Sequence, residues 1–334
     1  MDALSDVLRV IRLTGAVFLS AEFTAPWSVL AGSASGDCAA YMPNAKHLVY
    51  YHLVAQGSCL VRLPGVAPVR LEAGDLVLFP SGDAHVVASA PDLDPVPIAS
   101  LLKASEPGMH RVVHGGGGET TRVVCGFLAC DTRLFEPLLL ALPHILKFSA
   151  QTGPASSWIE TSLRYTVEAA VTPRTGWAIV VAKLAELLFV EALRRYILTL
   201  PPDEKGWLSG LRDPYVARAL SVMHARPAHP WTVEELGREV ALSRSALAAR
   251  FAQVLGQSPM SYLSTWRMYL AAHMLGTSGQ TIAAITEQIG YDSETSFYRA
   301  FKRAFGMPPA SFRQERAHAA PLQASLAETH KIAA

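Results

Sequence analysis

The sequence predicts an α+β protein, with a strand-rich front part that closes into a β-barrel with added helices and an all-α back part. Two observations predict this. Short apolar or alternating runs such as "HLVYYHLVA" and "DLVLF", separated by Gly, Pro and Asp clusters, fill residues ~15–130 and are typical of strands. From about residue 134 the apolar spacing becomes helical, and it stays helical to about residue 316. The length of 334 residues leaves room for about two domains.

Charge is distributed unevenly along the chain. The formal net charge is +1, yet residues 214–316 hold eleven Lys and Arg against seven Asp and Glu, whereas residues 1–213 hold 17 basic and 20 acidic side chains. A basic back part behind a mildly acidic front part is expected when only the back part meets a polyanion. Half of the residues are hydrophobic, so both parts can form ordinary globular cores.

The first residues and the cysteines predict a cytoplasmic protein. "MDALSDVLRVIRL" has Asp2 and Asp6 and no basic start before its apolar run, so it does not read as a secretory signal. It predicts instead an amphipathic helix, whose apolar face holds Leu4, Val7, Leu8 and Ile11. The four cysteines form no CxxC pair, which favours a reducing compartment: Cys38, Cys59, Cys125 and Cys130.

The most apolar later stretch is "GWAIVVAKLAELLFVEALRRYIL". It is interrupted by Lys183, Glu186 and Glu191, so no membrane span is expected. A helix that is apolar almost all round must be buried, either against the rest of its own chain or against a second copy.

The back part contains an internal repeat. "WTVEELGREVALSRSALAARFAQVLGQSP" and "QTIAAITEQIGYDSETSFYRAFKRAFGMPP" align at an offset of 49 residues in their first helices and of 50 after the turn. Each copy has an apolar-faced helix, a short turn, a serine placed to cap the next helix (Ser243 or Ser293) and a glycine at its end (Gly256 or Gly306). This pattern predicts two helix-turn-helix units, joined by the long helix "PMSYLSTWRMYLAAHMLG".

This back part resembles the DNA-binding domain of AraC/XylS-type bacterial transcription regulators. "IAAITEQIGYDSETSFYRAFKRAFGMPPASFR" is a specific match to that family's signature. The resemblance implies recognition helices at residues 243–251 and 293–304, which would enter successive major grooves about 34 Å apart. Carried over by position, the implied DNA-binding residues are Ser243, Arg244, Ser245, Ala248, Ala249, Ser293, Glu294, Thr295, Tyr298, Arg299, Lys302 and Arg303.

The two recognition helices differ in composition. Phe297 and Phe301 form the predicted core stripe of the second helix, which leaves Arg299 and Lys302 for phosphate or base contacts and Arg303 for a phosphate. The first helix is rich in alanine, so we expect it to read bases less. A solvated basic face is the alternative for any single helix, and the duplication favours DNA binding.

In the front part, "GDLVLFPSGDAH" places Gly74, Pro80, Gly82 and His85 at the spacing of the second motif of cupin barrels. It is similar to the effector-sensing domain of many AraC-type proteins. The motif's usual Asn is replaced by Ser89, and the first cupin motif, HxH followed by Glu, is missing from "NAKHLVYYHLVAQG". The resemblance implies a cupin-like sensor domain and, in the helix that follows it, a dimerisation element.

Three interpretations of the histidines in the front part stay open. An organic effector could lie in a pocket lined by Trp27, Tyr51, His52 and His85. A metal could be held by His47, His52 and His85, although His47 and His52 are five residues apart and point to opposite faces of an uninterrupted strand. The histidines could also be hydrogen-bonded core residues. The organic pocket is favoured, and no cofactor is expected.

Two further motifs predict structure rather than chemistry. "GGGGET", residues 115–120, lacks the GxxxxGK[ST] pattern of a phosphate loop and predicts a hairpin turn. Cys125 and Cys130 are five residues apart on a predicted strand, so they lie on opposite faces, and a disulfide between them is disfavoured.

The predicted domains are a cupin-like effector-binding domain at 1–150, a helical dimerisation and linker region at 151–205, a double helix-turn-helix domain at 214–316 and a disordered tail at 317–334. The predicted function is a sequence-specific transcription regulator, not an enzyme, whose cupin-like domain senses a small molecule and alters promoter binding or activation. Expected partners are double-stranded promoter DNA, the effector, RNA polymerase and a second copy of the chain, at the bacterial nucleoid. The alternatives are a metal-dependent cupin enzyme or metal sensor fused to a DNA-binding module, and a purely structural barrel.

Overall fold

The structure is a computed structural model of the chain, which describes residues 2–11, 13–32, 47–102, 110–130, 138–139, 141–149, 157–162, 165, 175–201 and 203–316. The chain separates into two units. The strand-rich unit comprises residues 13–131 and 142–196. The helical unit comprises residues 1–12, 132–141 and the chain from residue 197 onward. The predicted disordered tail, 317–334, lies outside the described residues, as does Cys38.

Strands of the strand-rich unit form two sheets. In chain order the described strands are β1 (Thr14–Thr24), β2 (Ser28–Ala31), β3 (His47–Gln56), β4 (Ser58–Leu63), β5 (Val66–Glu72), β6 (Asp75–Phe79), β7 (His85–Ala88), β8 (Val96–Pro97), β9 (His110–Gly115), β10 (Thr120–Cys130) and β11 (Leu146–Ser149). The first sheet has the order β11-β6-β3-β10-β1-β9, and the second has the order β5-β4-β7-β2-β8. The β1–β9 and β2–β8 pairs are parallel, and the other pairs are antiparallel.

The two sheets share one apolar core but do not close into the predicted barrel. The core joins Phe23 and Val54 of the first sheet to Val29, Val61 and Val87 of the second. Among the described strands, no hydrogen-bonded pair connects one sheet to the other. The local strand pattern predicts strands correctly, but whether a sheet closes depends on pairing between strands that are distant in sequence.

Strand β11 was missed by the sequence prediction, which assigned helix from about residue 134. Residues 146–149 pair antiparallel with β6, with Leu146 opposite Leu78 and Phe148 opposite Leu76. Leu146 and Phe148 are buried whereas Lys147 is exposed, which is the two-residue alternation of a strand. A four-residue strand next to prolines is too short for its period to be recognised in advance.

The glycine run does not form the predicted hairpin. It connects β9 to β10, which lie on either side of β1 and are not paired with each other. The run therefore crosses the end of β1, where the Gly116 N–H donates to the Thr24 carbonyl at 2.8 Å. Gly115 has a φ of +134°, and a Cβ there would lie 1.9 Å from the same carbonyl oxygen, so only glycine fits this crossing.

The described helices are α1 (Ala3–Ile11), α2 (Trp177–Thr199), α3 (Trp207–Gly210), α4 (Pro214–Ala225), α5 (Val233–Glu239), α6 (Arg244–Leu255), α7 (Pro259–Thr277), α8 (Ile282–Gln288) and α9 (Glu294–Phe305). Further helical residues lie at 157–162 and 309–316. Helices α5 and α6 form the first predicted helix-turn-helix unit, α8 and α9 the second, and α7 is the predicted long helix between them. Within the described residues, no helix is long and apolar enough to span a bilayer.

The helical unit includes α1, which the sequence alone did not indicate. Ala3 and Val10 belong to its apolar core, with Val7 packed against it. The Val10 carbonyl accepts a hydrogen bond from Nδ1 of His273 at 3.1 Å. The first helix of the chain therefore packs with the repeat at the other end of the sequence, although the strand that follows it, β1, belongs to the other unit.

Candidate nucleic-acid interface and effector cavity

Capping and packing hold the two predicted recognition helices in place. Oγ of Ser243 accepts a hydrogen bond from the Ala246 N–H at 3.2 Å, and Oγ of Ser293 accepts one from the Ser296 N–H, also at 3.2 Å. At the other end, Gly256 and Gly306 adopt left-handed conformations with φ of 71° and 74°. The predicted N-caps and C-caps of α6 and α9 are thus confirmed.

Each helix buries one apolar stripe and leaves the opposite face exposed. Leu247 and Phe251 of α6 are fully buried, as are Phe297 and Phe301 of α9. The residues predicted to bind DNA lie outside these buried stripes. Ala248 and Tyr298 are half-buried, and the others are exposed: Ser243, Arg244, Ser245, Ala249, Ser293, Glu294, Thr295, Arg299, Lys302 and Arg303.

Cations on these faces differ from those elsewhere in the unit. Arg226 pairs with Glu239 at 2.7 Å, Arg250 pairs with Asp213 at 2.6 Å, and Arg238 pairs with Glu234. In contrast, no carboxylate among the described residues pairs with Arg244, the other cation of α6, or with the three cations of α9, which are Arg299, Lys302 and Arg303. Positive charge without an internal partner is therefore concentrated on α9, where three of these four cations lie within five residues.

A groove of about 620 Å³ lies between α7 and α9. Arg303 lines it together with three hydroxyl side chains of α7, which are Ser261, Ser264 and Thr265. Hydroxyl and guanidinium groups are common donors to DNA phosphates. These hydroxyl residues were not predicted from sequence, because the pattern of α7 indicates only a long helix between the two units. Their spacing of three and four residues, in "SYLST", was the available signal.

In the strand-rich unit, a small cavity lies within the core. Its volume is about 20 Å³, which is about the space that one water molecule needs. Among the described residues at its wall, His52 is the one histidine, and the others are Leu19, Phe23, Val29, Ala31, Val87, Ile98, Val123 and Cys125. The cavity is therefore almost entirely apolar, with a single imidazole.

His52 and His85 form a buried pair, with exposed fractions of 4% and 1%. Their Nε2 atoms are 2.6 Å apart, and Nδ1 of His85 lies 2.8 Å from the carbonyl oxygen of Asp83. Phe79 stacks on His85 with ring centroids 3.6 Å apart. Burial lowers the pKa of His85 to about 4, although the Asp83 carbonyl partly opposes this shift. Burial, and then the neighbouring His85, lowers the pKa of His52 well below its usual value.

The other predicted ligand-binding residues lie around this pair in different ways. Trp27 is buried and stacks on Phe23, a cavity residue, with ring centroids 4.3 Å apart. Tyr51 is buried as well, but it is adjacent to His52 on β3, so its side chain points to the opposite face. Tyr50 lies on the same face as His52, with its ring centroid 6.1 Å from that of His85. The structure thus brings Tyr50, rather than Tyr51, together with the histidines.

Both units match known families. Residues 2–198 match the cupin family, and residues 236–315 match a helix-turn-helix domain family. An AraC-like transcription regulator of Streptomyces lividans is 33% identical over 318 residues, which cover 94% of this chain and 98% of that protein. The chain belongs to the AraC family of transcription regulators. Like the rest of this family, it is a DNA-binding transcription regulator, and its N-terminal region is cupin-like.

A second relative agrees with this assignment, and one solved structure is similar to part of the chain. The HTH-type transcriptional regulator AlkR of Acinetobacter baylyi is 30% identical over 323 residues, which cover 94% of this AraC-family chain and all of AlkR. The DNA-binding domain of AdpA, solved in complex with a target DNA, is 26% identical and covers 33% of this chain and 97% of its own, with a TM-score of 0.31.

The histidines of this AraC-family protein do not fit the metal site that the cupin resemblance raised. His47 lies 2.6 Å from the Pro80 carbonyl through its Nε2, away from the His52–His85 pair. Two imidazoles on one tetrahedral Zn²⁺ at ~2.1 Å would have nitrogen atoms ~3.4 Å apart, whereas these are at hydrogen-bond distance from each other. Among the residues that the structure describes, no group of three or more His, Cys, Asp or Glu side chains could hold a metal.

We expect the strand-rich unit of this regulator to lose stability as the pH falls from 7 to 5. His52 and His85 are neutral when folded, but each takes up a proton near pH 6.5 when unfolded, so the unfolded state binds more protons below that pH. The expected loss is about 2 kcal/mol for each histidine. Hydrogen exchange of the β3 and β7 amides measures it without interference from the helical unit.

A matched pair of variants tests this pH dependence. His85→Gln should remove about half of it, whereas Val29→Ala, which changes packing in the same core but no titratable group, should leave it unchanged. An equal pH dependence in the His85→Gln variant and the unaltered protein would contradict the neutral buried pair.

Proposed function

We propose that this regulator binds promoter DNA through α6 and α9, and that a small molecule bound in the strand-rich unit changes that binding. The observation that carries the proposal is the set of cations on the recognition helices that have no carboxylate partner among the described residues. Three other arginines of the helical unit, Arg226, Arg238 and Arg250, are paired with carboxylates. Keeping a lysine and arginines unpaired on one face is favourable where that face meets phosphates.

The first recognition helix contributes differently from the second. Its exposed face holds Arg244 and Ser245 at the start and alanines beyond them. Helix α9 presents Glu294, Thr295 and Arg299, which carry hydrogen-bonding groups suited to base edges. We therefore expect α9 to supply most of the sequence preference and α6 to supply mainly positioning.

Selection of binding sites from random duplex DNA tests this proposal. The expected result is two preferred blocks centred about 10 base pairs apart on one face of the duplex. The block with the stronger sequence preference should be the one that α9 contacts. An Arg299→Ala variant should therefore no longer select that block. Recovery of one block alone, or of sites unaffected by changes in α9, would contradict the assignment of the two helices.

We also propose that the regulator is a homodimer, joined through α2. One side of α2 packs against the start of β1, where Gly15 donates to Glu186 at 3.3 Å and a Cβ on Gly15 would lie 2.5 Å from the Ala182 carbonyl. The other side leaves Val180 and Leu187 exposed, by 43% and 53%. A helix with apolar residues on an exposed face is stabilised when a second copy covers that face.

The chain itself supplies a route from the cavity to the DNA-binding helices. β1 lines the cavity with Leu19 and Phe23. Only residues 12 and 13 separate the start of β1 from α1, which packs within the helical unit. We propose that a ligand which shifts β1 changes the position of α1, and with it the arrangement of the helical unit.

Insertion of Gly-Ser-Gly-Ser between residues 12 and 13 tests this route. The insertion should leave DNA binding intact and remove its response to ligand, because a flexible link no longer transmits a shift of β1. A full ligand response in the insertion variant would show that the signal takes another path.

Two further proposals concern partners and chemistry. The named relatives are transcription regulators, which supports a sensing rather than an enzymatic role for the cupin-like region. Turnover of the ligand by the cupin-like region would contradict this sensing role. Mass spectrometry of ligand recovered from the protein shows directly whether the ligand is chemically unchanged.

Contact with RNA polymerase follows from the family resemblance and stays a prediction, which co-purification on promoter DNA would test.

A further inference from the structure

Two segments of the helix-turn-helix units meet away from the ends of the helix that joins the units. The α4–α5 loop, residues 226–232, leads into the first unit, and the turn between α8 and α9, residues 289–293, lies within the second. Gly290 of this turn has a φ of +76°, and a Cβ there would lie 2.5 Å from the carbonyl oxygen of Ala228 in the loop. The two backbones are therefore in direct contact.

Arg267 of α7 holds this contact in place. Its Nε donates to the Pro227 carbonyl at 2.7 Å, and its Nη2 donates to the His229 carbonyl at 3.0 Å. These two carbonyls flank Ala228, so they fix the orientation of that residue from both sides. The guanidinium carbon of Arg267 also lies 5.9 Å from the ring centroid of Tyr291 in the turn. One side chain thus contacts both segments.

Each segment is attached to its own helix-turn-helix unit. In the loop, Trp231 is buried in the apolar core, and Nε2 of His229 lies 3.1 Å from Oε1 of Glu235 on α5. In the turn, the ring of Tyr291 packs against Phe297 of the buried α9 stripe, with centroids 6.0 Å apart. A change in the contact between loop and turn therefore moves α5 on one side and α9 on the other.

The angle between the two units depends on this contact. Helices α6, α8 and α9 each pack on α7, with little packing between the helices of one unit and those of the other. The connections of α7 to its neighbours are short, residues 256–258 and 278–281, and backbone rotation there would swing either unit about an end of α7. A contact that joins the loop before one unit to the turn of the other opposes that rotation.

We propose that Arg267 is a positioning residue that sets the operator spacing of this regulator. The inference rests on the proposed binding of DNA through α6 and α9, and it adds the residue that fixes how these helices stand relative to each other. One base pair inserted between two binding blocks shifts the second block by ~3.4 Å and turns it by ~35° about the DNA axis. Two units held at one angle cannot follow that turn, so they bind one spacing.

A spacing series tests this inference on the full-length protein. The probes are duplexes that carry the two blocks selected from random DNA by the unaltered protein, with one or two base pairs added or removed between them. For a change of one base pair, the unaltered protein should lose roughly tenfold in affinity, which is the size of one lost base contact. Arg267→Met should bind the same duplexes with affinities within about threefold of one another, because freed units follow the turned block. Fluorescence anisotropy measures the affinities.

Two further variants and one further duplex separate positioning from folding. Arg267→Lys keeps one charged donor for the loop carbonyls, so it should restore part of the spacing preference. Arg218→Met is the matched control, because Arg218 also donates to a backbone carbonyl, that of Glu239 at 2.9 Å, but this bond joins α4 to α5 and does not reach the second unit. It should keep the full preference. A duplex with one block alone should bind all three variants as tightly as it binds the unaltered protein.

The outcomes distinguish this inference from the proposed function. A spacing preference in Arg267→Met as sharp as that of the unaltered protein would overturn the inference and leave binding through two helices intact. Equal weakening on every duplex, including the one with a single block, would show that Arg267 supports the fold alone, and would overturn the inference as well. If the unaltered protein binds all spacings equally, the inference fails together with the proposed use of two recognition helices.

Discussion

Replacing Arg299 and Lys302 together by alanine should weaken operator binding by about 30- to 1,000-fold, which corresponds to ~2–4 kcal/mol for two lost contacts. Both side chains are exposed on α9 and have no carboxylate partner among the described residues, so their removal breaks no ion pair within the fold. If both contact phosphates, the slope of log affinity against log salt concentration should fall by about two, and by about one if Arg299 reads a base. Fluorescence anisotropy across a salt series measures both quantities.

Arg238→Ala is the matched control for this experiment. Arg238 is an exposed arginine of the same unit that already pairs with Glu234, so its loss should change operator affinity and salt dependence little. The single variants Arg299→Ala and Lys302→Ala show which kind of contact each side chain makes. Loss of a phosphate contact weakens binding equally to operator and random DNA, whereas loss of a base contact weakens binding to the operator alone. Unchanged affinity and slope in the double variant would show that another face of the helical unit binds DNA.

Leu187→Glu should convert the proposed dimer into a monomer. Leu187 is 53% exposed on α2, so glutamate is tolerated in the monomer, with a change in unfolding free energy within about 0.5 kcal/mol. In a covered apolar interface, two glutamates related by symmetry would be desolvated without partners, which costs several kcal/mol. Analytical ultracentrifugation across a concentration series measures the association.

Val113→Glu is the control for a general effect of a new surface charge. Val113 is 79% exposed on β9, away from α2, and its replacement should leave the dimer intact. Dimer loss should also weaken binding to operators with two copies of the site, because each copy then binds independently. A Leu187→Glu protein that stays dimeric would place the interface elsewhere.

Much of the helical unit could be predicted from sequence because its signals are local. The caps at Ser243 and Ser293, the terminal glycines and the phenylalanine stripe of α9 each depend on residues within four or five positions. The duplicated pattern then indicated which faces of α6 and α9 stay exposed. The unpaired state of the α9 cations was not predictable, since it depends on where every carboxylate of the unit lies.

The strand-rich unit shows the opposite balance. Individual strands were recognisable from their alternation, and the placement of His85 after "GDLVLFPSGDAH" indicated a buried histidine in a cupin-like region. The sequence grouped His52 with His85 in one pocket, but the hydrogen bond between them was not evident, because they are 33 residues apart in sequence. The barrel, the hairpin at the glycine run and the helix over β11 were wrong for the same reason, which is that strand order is set by pairing between distant segments.

The sequence by itself determined the strand-rich and helical parts, the repeat with its caps, and the faces of the recognition helices, because periodicity and capping act over a few residues. Tertiary structure alone decided that α1 packs with the helical unit, that two sheets form instead of a barrel, and that Tyr50 rather than Tyr51 lies beside the histidines. It also decided the neutral state of His52, since burial and the neighbouring His85 depend on how distant segments pack.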